Sequence, residues 1–146
     1  MAVAERWKGT RPIVLATPEC GRRAARLVRR DARVRALYLF GSRAVEGGSS
    51  GSDLDLAIWT TSDFRWQDLY DLRGSVTHAV RSERVDVVWL NRCDPVTAFQ
   101  VLKTGRTLTV RDVDEVNDLE LRAKRRFWDY GVRLRMHVRD CHGLPA

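Results

Sequence analysis

Two stretches of this chain place carboxylates where an apolar strand would ordinarily have none. Asp53-Leu54-Asp55-Leu56 leads into Ala57-Ile58-Trp59, and Arg84-Val85-Asp86-Val87-Val88-Trp89-Leu90 holds one acid inside an apolar run. Side chains along a strand alternate faces, so Asp53 and Asp55 project together while Leu54 and Leu56 enter a core. An aspartate inside a buried run needs a physical reason, because desolvation penalises it. If the two strands are neighbours, Asp86 joins the first pair and three carboxylates share one end of a sheet.

The surrounding pattern predicts an α/β chain of the α+β kind. Thr17-Pro18-Glu19 reads as a helix start, with threonine as cap, proline in the first turn and an acid facing the helix dipole. A basic helix is expected to follow to about Arg33, its arginines forming a solvated face or a binding surface. Val34–Phe40 reads as the first strand and Asp53–Trp59 as the second. Between them lies Gly47-Gly48-Ser49-Ser50-Gly51, whose position points to a mobile loop over a site. Leu69, Leu72, Val76 and Val80 recur at helical spacing and predict a helix over 63–81 with Ser62 as its cap. Arg84–Leu90 is a third strand. Asp94-Pro95 opens a short helix that Gly105 closes, and 106–110 adds an extended segment. In the last helix Val116, Leu119, Ala123, Phe127, Tyr130, Leu134 and Val138 form one apolar stripe among many charges. At 146 residues the chain fits one domain. We divide it into a lead-in over 1–16, a single domain over 17–140 and a tail over 141–146.

The chemistry concentrates between Phe40 and Asp86. Repulsion between Asp53 and Asp55 would be unfavourable without a cation, and magnesium prefers hard oxygen ligands of this kind. With Asp86, the set can hold two magnesium ions for in-line displacement at phosphorus, and an acid can help deprotonate an attacking hydroxyl. Gly41-Ser42 follows the first strand where exposed backbone N–H groups can cradle phosphate. Glycine permits close approach there, and the serine hydroxyl adds a donor without bulk. Arg43 is expected either to contact a triphosphate or to point to solvent.

Gly41-Ser42, ten intervening residues and then Asp53-x-Asp55 resembles the signature of the polymerase-beta-type nucleotidyltransferases, and the later Asp86 fits their third metal ligand. The wider run, Leu39-Phe40-Gly41-Ser42-Arg43-Ala44 through Ser52-Asp53-Leu54-Asp55-Leu56, looks especially like the minimal nucleotidyltransferases encoded beside HEPN-type toxins. The resemblance covers about residues 34 to 130. It implies a small mixed β-sheet flanked by helices, the minimal nucleotidyltransferase fold. It also implies that Asp53, Asp55 and Asp86 are catalytic and bind Mg2+, and that Gly41 and Ser42 form the triphosphate turn. The implied reaction moves a nucleoside monophosphate, AMP from ATP, onto a hydroxyl of a partner protein. The implied partner is a HEPN-type ribonuclease toxin inactivated by adenylylation (AMPylation), with this chain as the antitoxin. One departure is Val45-Glu46-Gly47-Gly48, where these proteins commonly have a more basic Arg-Gly segment; the loop length is preserved.

Composition narrows the alternatives. Of 26 basic residues all but Lys8, Lys103 and Lys124 are arginine, and the net charge is +7. Such a surface attracts phosphate-rich or acidic partners, nucleic acid included, although no motif selects nucleic acid. Cys20, Cys93 and Cys141 are odd in number and lack a CxxC, so neither a disulfide framework nor a zinc site is indicated. No run is long and apolar enough to span a bilayer and the start lacks the apolar core of a secretory signal, so a cytoplasmic protein is expected. No GxxxxGK[ST] occurs, and Asp53-Leu54-Asp55 lacks the later glycine and glutamate of a calcium loop. Two other readings stay open: an antitoxin that masks its toxin by contact without catalysis, and a nucleotidyltransferase acting on a small molecule or an RNA end. In the last helix Phe127 and Tyr130 are expected to pack inward, leaving Trp128 as the docking candidate.

Overall fold

The computed structural model describes residues 8–45 and 52–142. The start of the lead-in, the glycine- and serine-rich loop at 47–51 with Glu46, and the end of the tail lie outside the described residues. The element order is α1 (Thr17–Val28), β1 (Val34–Phe40), a 3-10 turn (Gly41–Ala44), β2 (Leu54–Thr60), α2 (Trp66–Val80), β3 (Val85–Trp89), α3 (Pro95–Thr104), β4 (Arg106–Val110) and α4 (Val113–His142).

The four strands form one mixed sheet in the order β3-β2-β1-β4. β1 pairs antiparallel with both β2 and β4, whereas β2 and β3 run parallel because α2 carries the chain across between them. Helices cover both faces, which is why β1 and β2 are apolar almost throughout. On one face Leu37, Leu39, Leu54, Leu56 and Ile58 pack with Ala24, Val28, Val76 and Val80 of α1 and α2. On the other, Ala36, Tyr38, Ala57 and Trp59 pack with Ala98 and Val101 of α3 and Val116 and Ala123 of α4. Tyr38 donates its hydroxyl to Glu120 at 2.6 Å, tying α4 to the sheet. Burial, with the Glu120 carboxylate beside it, pushes the Tyr38 phenol far above its usual range.

Several boundaries differ from expectation, each for a local reason. α1 ends at Val28, not near Arg33, because Arg111 donates to the carbonyls of Val28, Arg29 and Asp31 at 3.1, 2.7 and 2.9 Å and closes the helix there. Asp31 then accepts from the Arg33 backbone at 3.0 Å and turns the chain into β1. Thr17 is the first helical residue, not the cap; Ala16 holds that position without a side-chain bond. α2 starts at Trp66, beyond Ser62, since Phe64 is buried in the core and the segment before the helix stays non-helical to place it. Asp68 accepts from the Arg65 backbone at 2.8 Å instead of a Ser62 cap. The described part of the lead-in is packed despite its lack of periodicity: Ile13 is in the core, and the Ser82 hydroxyl donates to the Arg11 carbonyl. α3 begins and ends where Asp94 and Gly105 predict.

The stripe of α4 is buried only over its first half. Val116 and Ala123 are buried, and Phe127 stacks on Phe99 of α3 with ring centroids 3.9 Å apart. Tyr130 was expected to pack inward; it is 44% exposed, and Leu134 47%. Thirty residues of helix reach about 45 Å, whereas strands of five to seven residues reach about 17–24 Å, so the helix outruns the sheet it packs on. No described helix is long and apolar enough to cross a membrane.

Candidate active site

The expected acids converge through strand register. Asp55 of β2 lies directly opposite Asp86 of β3 in the parallel pair, and Phe40, the last residue of β1, lies opposite Asp55 on the other side. Alternation sends Leu54 and Leu56 to the face of α1 and α2, so Asp53 and Asp55 belong to the opposite one. Val85 and Val87 pack on that first face as well, which puts Asp86 with the other two acids. Asp53 immediately precedes β2 instead of starting it. All three are half-buried at one end of the sheet.

Gly41 turns the chain at that end with φ +71°, the left-handed region that favours glycine. It also lies against Asp55: a Cβ at position 41 would collide with the carboxylate, 3.1 Å from Cγ and 3.3 Å from Cβ of Asp55. The phosphate-cradle expectation and the acid pair therefore meet at one point. Ser42, next in the turn, is exposed.

Arg43 does not point to solvent. Its side chain is 3% exposed, with Nε donating to the Ser52 carbonyl at 2.8 Å and Nη1 to the Thr17 hydroxyl at 3.1 Å. It braces the segment entering β2, just ahead of Asp53, against the start of α1. Thr17 and Ser52 thus take part in the site's support, which sequence reasoning missed. No short-range pattern links positions 17, 43 and 52; only the packing of α1 beside the turn brings them together.

The donor set on these strands is three carboxylates with no imidazole or thiolate, the hard-oxygen chemistry that suits magnesium. Among the described residues, no three acidic, histidine or cysteine side chains close into a ready-made metal cluster. Like charges on neighbouring strands repel, and a cation is what would draw them together. Cys20, Cys93 and Cys141 are free thiols.

Solved structures share this architecture. A chain from the crystal structure of a toxin–antitoxin with AMP-PNP superposes with a TM-score of 0.70 at 20% identity, over 83% of this chain and 97% of that one. A chain from the tri-AMPylated Shewanella oneidensis HEPN toxin in complex with MNT antitoxin gives 0.68 at 18% identity, over 86% and 98%. The toxin–antitoxin MntA–HepT gives 0.66 at 19%, over 84% and 96%. These likenesses establish the minimal nucleotidyltransferase fold. No curated protein matches the chain. Residues 23–114, more than half of the sequence, match the family described as Polymerase beta, Nucleotidyltransferase, and the match spans β1, the Gly41 turn and all three acids. The chain belongs to the polymerase-beta nucleotidyltransferase family.

Proposed function

We propose that this protein transfers AMP from ATP to a hydroxyl of a partner protein, a HEPN-type toxin, and thereby acts as its antitoxin. The observation that carries the reading is the register of Asp55 against Asp86, with the Gly41 turn in contact with Asp55. Two fold relatives add support: one was crystallised with AMP-PNP, and another stands beside a HEPN toxin that is tri-AMPylated.

In this mechanism the exposed turn at Gly41 and Ser42 holds the triphosphate through backbone N–H groups and the serine hydroxyl. Asp53, Asp55 and Asp86 hold magnesium, which when bound supplies charge neutralisation to the triphosphate and to the attacking oxygen. Asp86 takes the proton of the acceptor hydroxyl. The hydroxyl oxygen bonds to the α-phosphorus as the bond to the bridging oxygen breaks, and pyrophosphate leaves. Arg43 contributes by fixing the Asp53 segment.

Docking of the toxin falls to the second half of α4. Trp128 is 62% exposed, and Tyr130, Leu134, Met136 and Val138 are exposed with it, amid Arg125, Arg126, Arg133, Arg135 and Arg139. Tyr130, Leu134 and Val138 recur at four-residue steps as one apolar stripe bordered by arginines, with Trp128 off that stripe, and such a surface suits a partner of apolar centre and acidic rim.

The test is mass spectrometry of the partner toxin after co-expression with the wild-type protein or with Asp53→Asn. A mass increase of one or more AMP groups with wild type alone, accompanied by loss of toxicity, is expected. Neutralisation by both proteins without modification would replace this reading with a binding-only antitoxin.

A further inference from the structure

A groove of about 410 Å³ runs between α1 and β4, outside the acid site. Arg22, Arg26 and Arg29 stand along its α1 wall and Arg106 on its β4 wall, and among the described residues no acidic side chain lines it. Arg22 is paired with Glu19 at 2.7 Å; among the described residues the other three have no carboxylate partner. Gly21 of α1 faces Leu108 of β4: a Cβ there would lie in contact with Leu108 Cδ2 at 3.4 Å.

Two features narrow the ligand. β4 is an edge strand of the described sheet, so part of its backbone donors and acceptors face away from β1. The rise of α1 separates Arg22 from Arg26 by about 6 Å and Arg26 from Arg29 by about 4.5 Å. Alternate side chains of an extended strand, about 6.6 Å apart, come close to the Arg22–Arg26 spacing. Conversely, no aromatic ring lines the groove among the described residues, so they offer no stacking platform of the kind on which single-stranded nucleic acid is commonly held.

The groove also leads to the acids. Its mouth includes Thr17, bonded to Arg43, whose guanidinium holds Ser52 beside Asp53. Arg106 pairs with Leu39, next to Phe40, and Phe40 lies opposite Asp55. In the plane of the sheet two strand spacings, about 10 Å, separate the β4 end of the groove from Asp55; because the groove opens on the α1 face and the acids project from the other, a segment held there reaches them over the end of the sheet.

We propose that the groove between α1 and β4 takes an extended acidic segment of the acceptor protein, added along the outer edge of β4 with its carboxylates on Arg22, Arg26, Arg29 and Arg106. The proposal rests on the protein-acceptor reading above and supplies the element that delivers the acceptor hydroxyl to the acids. Main-chain pairing gives such a segment affinity, and the arginines give it selectivity for acidic side chains.

The experiment uses the full chain and three probes: a short capped peptide alternating glutamate and valine, its glutamine counterpart, and a short oligoadenylate. Binding is followed by fluorescence anisotropy without nucleotide, and hydrogen exchange is read across 106–110. The glutamate peptide is expected to bind and to slow exchange in β4, and the glutamine peptide not to bind. An Arg26→Glu/Arg29→Glu variant should weaken the glutamate peptide at least about tenfold, while Asp53→Asn should leave it unchanged. Equal binding by the double variant, tighter binding of oligoadenylate than of the peptide, or binding without protection of β4 would overturn the proposal. These readouts need no transfer, so they separate failure of the groove from failure of the transferase reading. With the natural acceptor, the double variant should raise the KM for that protein and leave the KM for ATP in place.

Discussion

Gly41 combines a left-handed backbone with an aspartate packed against its α-carbon, and each feature alone disfavours a side chain. Valine there would carry about 1–2 kcal/mol of backbone strain and would also push Asp55 from its position. Gly41→Val is expected to fold with a lowered Tm and to bind ATP at least about tenfold more weakly by calorimetry, roughly 1.4 kcal/mol. Unchanged affinity in the folded variant would move the phosphate turn elsewhere. Arg43 supports the same end of the sheet from inside. Lysine can supply the charge but not the fork that reaches the Ser52 carbonyl and the Thr17 hydroxyl together. Arg43→Lys should therefore lose about 2–3 kcal/mol in urea unfolding, the scale of hydrogen bonds to a charged group. A loss under about 0.5 kcal/mol, typical of a surface change, would show the brace to be dispensable.

At the scale of the element, α3 offers the cleanest titration. Asp94 accepts from the Thr97 backbone at 2.8 Å and from the Thr97 hydroxyl at 2.6 Å, and these bonds, the hydroxyl first, hold its carboxyl below the usual range. Asp94→Ala should cost about 1 kcal/mol at neutral pH. Because the folded pKa is depressed, the stabilisation is complete above the unfolded value of about 3.9 and is lost as pH falls through the lower folded value. The difference in Tm between the two proteins should thus be constant near neutrality and shrink below about pH 4. A difference that persists undiminished at pH 2 would mean that the ionised cap is not its source.

Across the whole molecule, the excess length of α4 separates stability from docking. Trp128 and Leu134 are solvated, so replacing them leaves the core untouched. Leu134→Glu is expected to change stability by less than about 0.5 kcal/mol, as surface changes do. Toxin binding measured by calorimetry should weaken at least about tenfold, because the substitution puts a charge into the apolar centre of the proposed interface. A variant that binds normally would move the docking face off this half of the helix. The arginines bordering it also predict association that slows with added salt, as screened steering requires.

The sequence by itself determined the strands, the two alternating acids at the start of β2 and just before it, the lone acid of β3 and the residues that start and stop α3. These are local matters: side-chain period, capping and turn chemistry act within a few residues and can be read from order alone. It also placed Gly41-Ser42 after β1, where the turn was found. Only the tertiary structure decided that Asp86 stands opposite Asp55, because strand order depends on how α2 carries the chain across the sheet. It decided the fate of Arg43, whose partners at 17 and 52 are set by the docking of α1, and the early end of α1, which Arg111 imposes from more than eighty positions away. And it divided the α4 stripe into buried and exposed halves. A helical repeat records which face is apolar; how far that face stays covered depends on the length of the sheet beneath it, which no position in the helix encodes.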